Sequence, residues 1–330
     1  MRHRHALGLF LVSVIWGTTF VAVKTAMDHA SPVLFVGVRF ALATVAAIPL
    51  VRWREPGLGA AMRAGLPLGL VLAGAYASQT LGLTMTSPAR SAFVTGLNVS
   101  LVPAWALLLT GHRIARLSLL GLVLTLPGLW LLTSPGTGSW SRGDTWTLVC
   151  AVLYALYLVL VERSARRHAP GTLLFSQLAA TAVVALIAAP ILEHPRFEPA
   201  APLLAALALT AFIATTGTTW IQLRCQPKVG PTRTALIFAG EPVFAAFFSY
   251  LWFGERLGVP GWAGGGLILA GVLVSELGAV RAGAAIPPLP PVVLRTDSRG
   301  RARRTGSSNS TSARRSPRRG IGRGSTRPPM

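Results

Sequence analysis

The residues that could do chemistry in this chain lie inside apolar stretches. Glu241 stands in "LIFAGEPVFAAFFSYLWFG" (236–254), next to Pro242 and near the middle of a long apolar run. A charged carboxylate at that depth of a bilayer costs about 2.5 kcal/mol or more, so such a group usually faces a cavity or a partner. One interpretation is a cavity group that contacts a substrate or carries a proton. The other is structural, a carboxylate that accepts hydrogen bonds where Pro242 interrupts the helix.

Arg39 is a second charge inside an apolar run. Its guanidinium cannot be deprotonated in practice, so it must meet an anion, a carbonyl oxygen or water. It could capture a substrate carboxylate or phosphate, or it could form a static ion pair with Glu241. Lys24 lies near the end of the first run and is expected to extend to the membrane interface.

Uncharged polar and aromatic residues supply further candidates for a substrate cavity. Trp16 and Tyr154 could form aromatic walls for apolar or cationic groups, or could simply pack between helices. Gln79 and Gln222 lie near run ends and could bind substrate or a neighbouring helix. Asn98 lies in the middle of its run. The candidate cavity residues are therefore Trp16, Arg39, Gln79, Asn98, Tyr154, Gln222 and Glu241.

Composition places these residues in a membrane protein. The 330 residues are 52% hydrophobic and only 12% charged, with a mean hydropathy of +0.56, whereas soluble domains carry about 25% charged residues. A membrane-spanning helix needs about 20 mostly apolar residues. Ten runs approach that length: 6–27, 32–51, 63–83, 88–109, 116–133, 144–161, 171–191, 201–221, 231–252 and 260–279. We therefore predict an all-α integral membrane protein with about ten transmembrane helices.

The body of the chain repeats itself. Shifting residues 88–131 by 143 positions places them on 231–274, with ten of 44 positions identical, and makes Asn98 the counterpart of Glu241. Each unit would hold five helices, and because five is odd the second unit must enter the membrane inverted. Secondary transporters typically use such inverted repeats and bind substrate at the repeat interface.

Basic residues orient the predicted helices. With the amino terminus inside, thirteen Lys and Arg lie in inner loops and five in outer loops, which follows the positive-inside pattern. The predicted domains are a first repeat at 1–137, a second repeat at 138–282 and a tail at 283–330. The tail is too rich in Arg, Ser, Gly and Pro to bury a core, so we expect it to be disordered in the cytoplasm. It could attract anionic lipid; no nucleic-acid partner is expected.

Two stretches resemble a known family. "WGTTFVAVKTAMDHASPVLFVGVRFALA" (16–43) resembles the first two helices of the EamA-type family in the drug/metabolite transporter superfamily. "GPTRTALIFAGEPVFAAFFSYLWFGERLGVPGWAGGGLILAGVLV" (230–274) resembles its ninth and tenth helices, including the Glu-Pro step. The resemblance covers roughly 6–279 and implies export of amino acids, other metabolites or drugs. "GHRIA" (111–115) and the basic tail depart from the family pattern.

These features predict a secondary transporter that exports small metabolites, amino acids or drugs across the bacterial plasma membrane by alternating access. The chain has no ATP-binding motif, so uphill transport would need an ion gradient or a partner. Glu241 is the candidate for proton coupling, while a facilitator fits the sequence equally well. A polytopic sensor that signals through its basic tail is the alternative.

Other partners and activities follow from the same residues. The His residues lie in loops or at run ends and form no set, so we expect no enzyme activity, no cofactor and no metal site. The expected partners are a small-molecule substrate and the lipid bilayer. "GWAGGGLILAG" (261–271) predicts close helix packing through small residues, either within the chain or in a homodimer.

Overall fold

A computed structural model describes residues 2–86, 88–110, 116–133, 140–253 and 258–281. These residues are helical apart from their connections, and the β pairing among them is a single isolated bridge between Ala30 and Phe197. The "GHRIA" segment and the basic tail lie outside the described residues, so the predictions made for them stay predictions. The α-helices are α1 (Arg2–Ala26), α2 (Pro32–Ala47), α3 (Leu58–Met85), α4 (Pro88–Gly96), α5 (Asn98–Thr110), α6 (Arg116–Thr133), α7 (Arg142–Ala165), α8 (Pro170–Leu192), α9 (Ala201–Ala208), α10 (Thr218–Val229), α11 (Pro231–Phe238), α12 (Glu241–Phe253) and α13 (Val259–Arg281).

Many of these helices are apolar enough for a bilayer. In the described part of the chain, seven segments are long and apolar enough to cross a membrane: His3–Ala26, Pro32–Leu50, Leu58–Met85, Ser91–Leu109, Arg142–Ala165, Pro170–Leu192 and Ala201–Val229. Arg116–Leu131 and Val259–Val274 are shorter apolar helices. The predicted all-α membrane class is confirmed for the described residues, while the ten-helix layout stays a prediction.

Two of the apolar runs are broken helices. One residue separates the end of α4 from the start of α5 at Asn98, and two residues separate the end of α11 from the start of α12 at Glu241. Tight turns with i→i+3 hydrogen bonds form both breaks. The amide of Leu97 donates to the carbonyl of Val94 at 3.2 Å, and the amide of Gly240 donates to that of Ile237 at 3.1 Å.

The two breaks correspond under the 143-residue shift. Leu97 maps onto Gly240, and Val94 maps onto Ile237. A second pair of hydrogen bonds corresponds in the same way. The amide of Ser100 donates to the carbonyl of Leu97 at 3.0 Å, and the amide of Val243 donates to the carbonyl of Gly240 at 3.0 Å. Proline explains part of the second break: Pro242 lacks an amide hydrogen and stands in the first turn of α12, the position where a helix best tolerates proline.

α9 and α10 are joined by a π-helical segment, Leu209–Gly217. The side chain of Thr216 follows this wider winding, since its hydroxyl donates to the carbonyl of Ala211, five residues back, at 2.9 Å. π-helical turns inside α-helices are frequent at functional sites. Here the segment places Thr215 and the carbonyl of Ala214 against α2 and α1.

Glycines bring α6 and α13 into close contact. A Cβ atom on Gly128 would lie 2.8 Å from the carbonyl oxygen of Gly264, and one on Gly271 would lie 2.6 Å from that of Gly121. The shift of 143 residues exchanges these two contacts. The small-residue face of α13 therefore packs within the chain, and the homodimer stays a prediction.

Candidate functional site

A central cavity lies between α1, α2, α3, α4, α5, α7 and α12. It leaves about 40 Å³ for the centres of water-sized molecules, which is room for a few waters because each needs about 10–15 Å³. Any larger substrate therefore needs the surrounding helices to move apart. Six of the seven predicted residues line the cavity: Trp16, Arg39, Gln79, Asn98, Tyr154 and Glu241.

Three polar groups at the cavity wall have no hydrogen-bond or ion-pair partner among the described residues. Glu241 is partly buried, and no hydrogen bond or ion pair joins its carboxylate to the described residues. The amide oxygen of Asn98 and the hydroxyl of Tyr154 are buried without a hydrogen-bond partner. Buried polar atoms in native proteins are almost always hydrogen-bonded. This set of groups is therefore suited to binding water or a polar ligand.

Arg39 is held by a hydroxyl and by aromatic rings. Its Nε atom donates to the hydroxyl of Thr215 at 2.8 Å, and its guanidinium lies 4.8 Å from the ring centroid of Tyr76 and 5.7 Å from that of Phe40. No ion pair within 4.0 Å joins it to Glu241, although the structure describes both side chains. The static Arg39–Glu241 pair is thus not formed. The buried guanidinium lines the cavity and has no ion pair among the described residues, so its charge is available to an anionic group that enters.

The ring of Trp16 lines the cavity, and its indole N–H forms hydrogen bonds between helices. Its Nε1 atom donates to the carbonyl of Ala214 at 3.0 Å and to the hydroxyl of Thr218 at 3.1 Å. The ring packs edge-on against Tyr154, with centroids 5.8 Å apart, and is tilted against Phe238 at 4.8 Å. Trp16 therefore lines the cavity and also packs between helices, while its role as a wall for a substrate stays a prediction.

The two glutamines have different positions. Gln79 lines the cavity and donates from Nε2 to the hydroxyl of Thr95 at 3.3 Å. Gln222 does not line it: this residue is 1% exposed, and its Nε2 atom donates to the side chain of Gln226 at 2.9 Å. Gln226 in turn donates to the carbonyl of Leu158. Gln222 therefore takes part in a contact between α10 and α7. Of its two expected roles, this is the contact with a neighbouring helix and not the lining of the cavity.

Lys24 binds the end of a neighbouring helix. Its ammonium group donates to the carbonyls of Leu83 at 2.6 Å and Thr86 at 3.3 Å. These carbonyls lie at the carboxyl end of α3, where a cation satisfies orphan acceptors and complements the helix dipole. Lys24 therefore caps a neighbouring helix, and its expected extension to the membrane interface stays a prediction.

Sequence reasoning missed several cavity residues, notably Tyr76, Thr95 and Cys150. Helical spacing could have found two of them. Tyr76 precedes Gln79 by three residues and Cys150 precedes Tyr154 by four, so each lies on the same helix face as a residue that was singled out. Thr215, which binds Arg39, has no comparable signal in the sequence.

We expect Arg39→Lys to lower transport by about tenfold at equal membrane level, because a lysine cannot reproduce the stacking on Tyr76 together with the bond to Thr215. Arg196→Lys is the control. Arg196 also donates a hydrogen bond, from Nη2 to the carbonyl of Met27 at 3.2 Å, but it is exposed and does not line the cavity. Efflux of a transported compound from intact cells measures the effect. Equal efflux for the two variants would show that Arg39 serves only as a cation.

The described helices, with seven apolar candidate spans and a polar cavity among them, define a multi-pass helical membrane protein. The chain belongs to the EamA-like transporter family, whose profile matches it twice, at residues 4–134 and 141–277. The resemblance of 16–43 and 230–274 to this family is thereby confirmed. Family membership supports a transporter.

Individual proteins agree with the family. An uncharacterized transporter of Archaeoglobus fulgidus is 30% identical over 273 residues, which cover 82% of this chain and 85% of that protein. The uncharacterized transporter YyaM of Bacillus subtilis is 25% identical over 291 residues, covering 84% and 95%. A crystal structure of another protein superposes with a TM-score of 0.69 at 20% identity, covering 84% of this chain and 99% of that one, and shows the same fold.

Proposed function

We propose that the chain is a secondary transporter that exports small metabolites, amino acids or drugs across the plasma membrane by alternating access. One observation carries the proposal. The two broken helices restart at Asn98 and Glu241, which correspond under the 143-residue shift and both line the cavity. Transporters built from inverted repeats place their sites at such interrupted helices.

The packing of the helices supports ten spans in two inverted repeats. An even number of spans would put both termini on one side, which the positive-inside pattern makes the cytoplasm. In that layout α6 and α13 are the fifth helices of their repeats, and they pack against each other. The second helices, α2 and α8, also pack together. Each pair would lie across the interface between the repeats, as expected for two units related by a pseudo-two-fold axis.

Alternating access would use the helix breaks. The cavity is too small for a metabolite as it stands, since ligand pockets commonly measure about 300–1,000 Å³. The tight turns at 97 and 239–240 replace part of the regular helix bonding with i→i+3 bonds, so the half-helices on either side can tilt separately. We propose that these motions widen the cavity first toward one side of the membrane and then toward the other.

The cavity favours a cargo that is both polar and apolar. Arg39 offers a cation, Glu241 offers a carboxylate and Asn98 offers an unpaired amide oxygen, whereas Trp16 and Tyr154 offer rings. Glu241 is the proposed proton carrier, because it is an acid on the cavity wall with no hydrogen-bond or ion-pair partner among the described residues. A facilitator without coupling is the second candidate, since the same groups could bind cargo without moving a proton.

The proposal is tested by comparing metabolites inside and outside cells that express the full chain, a chain lacking residues 284–330, or no protein. We expect specific compounds to accumulate outside only when either chain is present, because the cavity and all described helices remain in the shortened chain. Loss of export on removal of the tail would favour the sensor alternative. If no compound moves with either chain, export is wrong and uptake must be measured instead.

A further inference from the structure

A second cavity lies where α7 ends, α8 begins and α10 ends. It has about 530 Å³ for the centres of water-sized molecules and shares no lining residue with the central cavity. Five of its nine lining residues are basic and none is acidic: Arg163, Arg166, Arg167, Arg224 and Lys228. We call this group the basic pocket.

The charge of the basic pocket is not neutralised by nearby carboxylates. Glu162 is the adjacent acid, and it is 2% exposed and occupied by Arg166, whose Nη2 atom lies 2.9 Å from its Oε1. Arg163 donates to the carbonyl of Leu109 at 3.5 Å. Within the described residues no ion pair is formed by Arg167.

The other two cations lie on the opposite wall of the basic pocket. Arg224 packs over the ring of Trp220, and Lys228 is exposed and forms no ion pair with the described residues. α8 begins at the same place, because Pro170 is its first residue and lines the pocket. The amino end of a helix adds partial positive charge. With one acid to five bases, the pocket keeps a strong positive potential.

We propose that the basic pocket binds a phosphate group. Arginine presents a planar fork of donors that matches phosphate oxygens bidentately, and the volume admits a phosphate with its attached group. The pocket also lies at the right depth, because α7 and α10 are membrane-crossing segments that end there. Basic pockets between membrane helices on the cytoplasmic side bind phosphorylated lipid headgroups. A soluble phosphate compound offers the same chemistry.

Binding there would brace α10 against α7. α10 contains Gln226, which donates to the carbonyl of Leu158 in α7, and the π-helical segment before it holds Arg39 through Thr215. A phosphate bound by residues of both helices would add a further link between them. Occupancy of the basic pocket is therefore expected to stabilise the fold.

The test uses the purified full-length protein in detergent at constant ionic strength. Phosphatidylglycerol, phosphatidylcholine and inorganic phosphate are titrated separately, and both equilibrium binding and the apparent unfolding midpoint are measured. The triple variant Arg167→Gln/Arg224→Gln/Lys228→Gln is compared with Arg4→Gln/Arg54→Gln/Arg116→Gln. The control removes the same charge from exposed residues outside the pocket, and both variants keep the tail.

We expect phosphatidylglycerol to bind and stabilise the wild type and the control alike, and to bind the pocket variant about tenfold to a hundredfold more weakly. Stabilisation by phosphatidylglycerol but not by inorganic phosphate identifies a lipid headgroup. Stabilisation by inorganic phosphate, lost in the pocket variant, identifies a soluble phosphate compound. The proposal is overturned if the two variants bind phosphatidylglycerol and phosphate equally well. It is also overturned if the wild type binds phosphatidylglycerol no better than phosphatidylcholine and does not bind inorganic phosphate.

Discussion

Glu241→Gln should lower proton-driven transport about tenfold to a hundredfold while substrate exchange continues. Glutamine keeps the shape of the side chain but carries no charge and cannot bind and release a proton. Loss of a hydrogen bond to a charged group costs about 1.5–3 kcal/mol, which corresponds to that range in rate. The measurement uses proteoliposomes loaded with a compound that the cells export, with and without an imposed pH difference.

The control for this prediction is Glu198→Gln. Glu198 is also a carboxylate, but its side chain is 59% exposed and lies near Arg196 and His29, away from the cavity. It should behave as wild type. If Glu241→Gln also accumulates substrate like wild type, then Glu241 is a structural residue at the start of α12. If the imposed pH difference does not change transport by the wild type, the facilitator is favoured.

The sequence predicted the polar residues of the cavity well, because polar groups are costly inside apolar runs and are therefore conspicuous. Arg39, Asn98 and Glu241 stand out for this reason, and in the structure all three line the central cavity. The 143-residue shift also paired Asn98 with Glu241, and both residues begin a helix after a break. Their roles in transport stay predictions.

Partner choice was harder to predict than position. The sequence offered Glu241 as the partner of Arg39, whereas the structure supplies Thr215 and Tyr76. The π-helical winding of Leu209–Gly217 aims Thr215 at Arg39, and no spacing rule for regular helices predicts it. Lys24 likewise binds carbonyls of α3, a contact that depends on where that helix ends in space.

Gly128→Ala and Gly271→Ala should destabilise the protein by similar amounts, about 1–3 kcal/mol each, because a new methyl group would press against backbone atoms. The Cβ of the first would lie 2.8 Å from the carbonyl oxygen of Gly264, and that of the second 2.6 Å from that of Gly121. A backbone carbonyl cannot rotate away as a flexible side chain can. α6 and α13 would therefore have to separate along their contact.

Gly266→Ala is the matched control on α13. A Cβ there has nothing within 4 Å, and alanine favours a helix over glycine by about 1 kcal/mol, so this variant should equal or exceed the wild type. The apparent unfolding midpoint in detergent and the amount of folded protein in the membrane measure all three variants. If Gly128→Ala and Gly271→Ala behave like Gly266→Ala, α6 and α13 do not pack as described. Equal loss in both would support the inverted repeat, because one two-fold relation places the two glycines in the same contact.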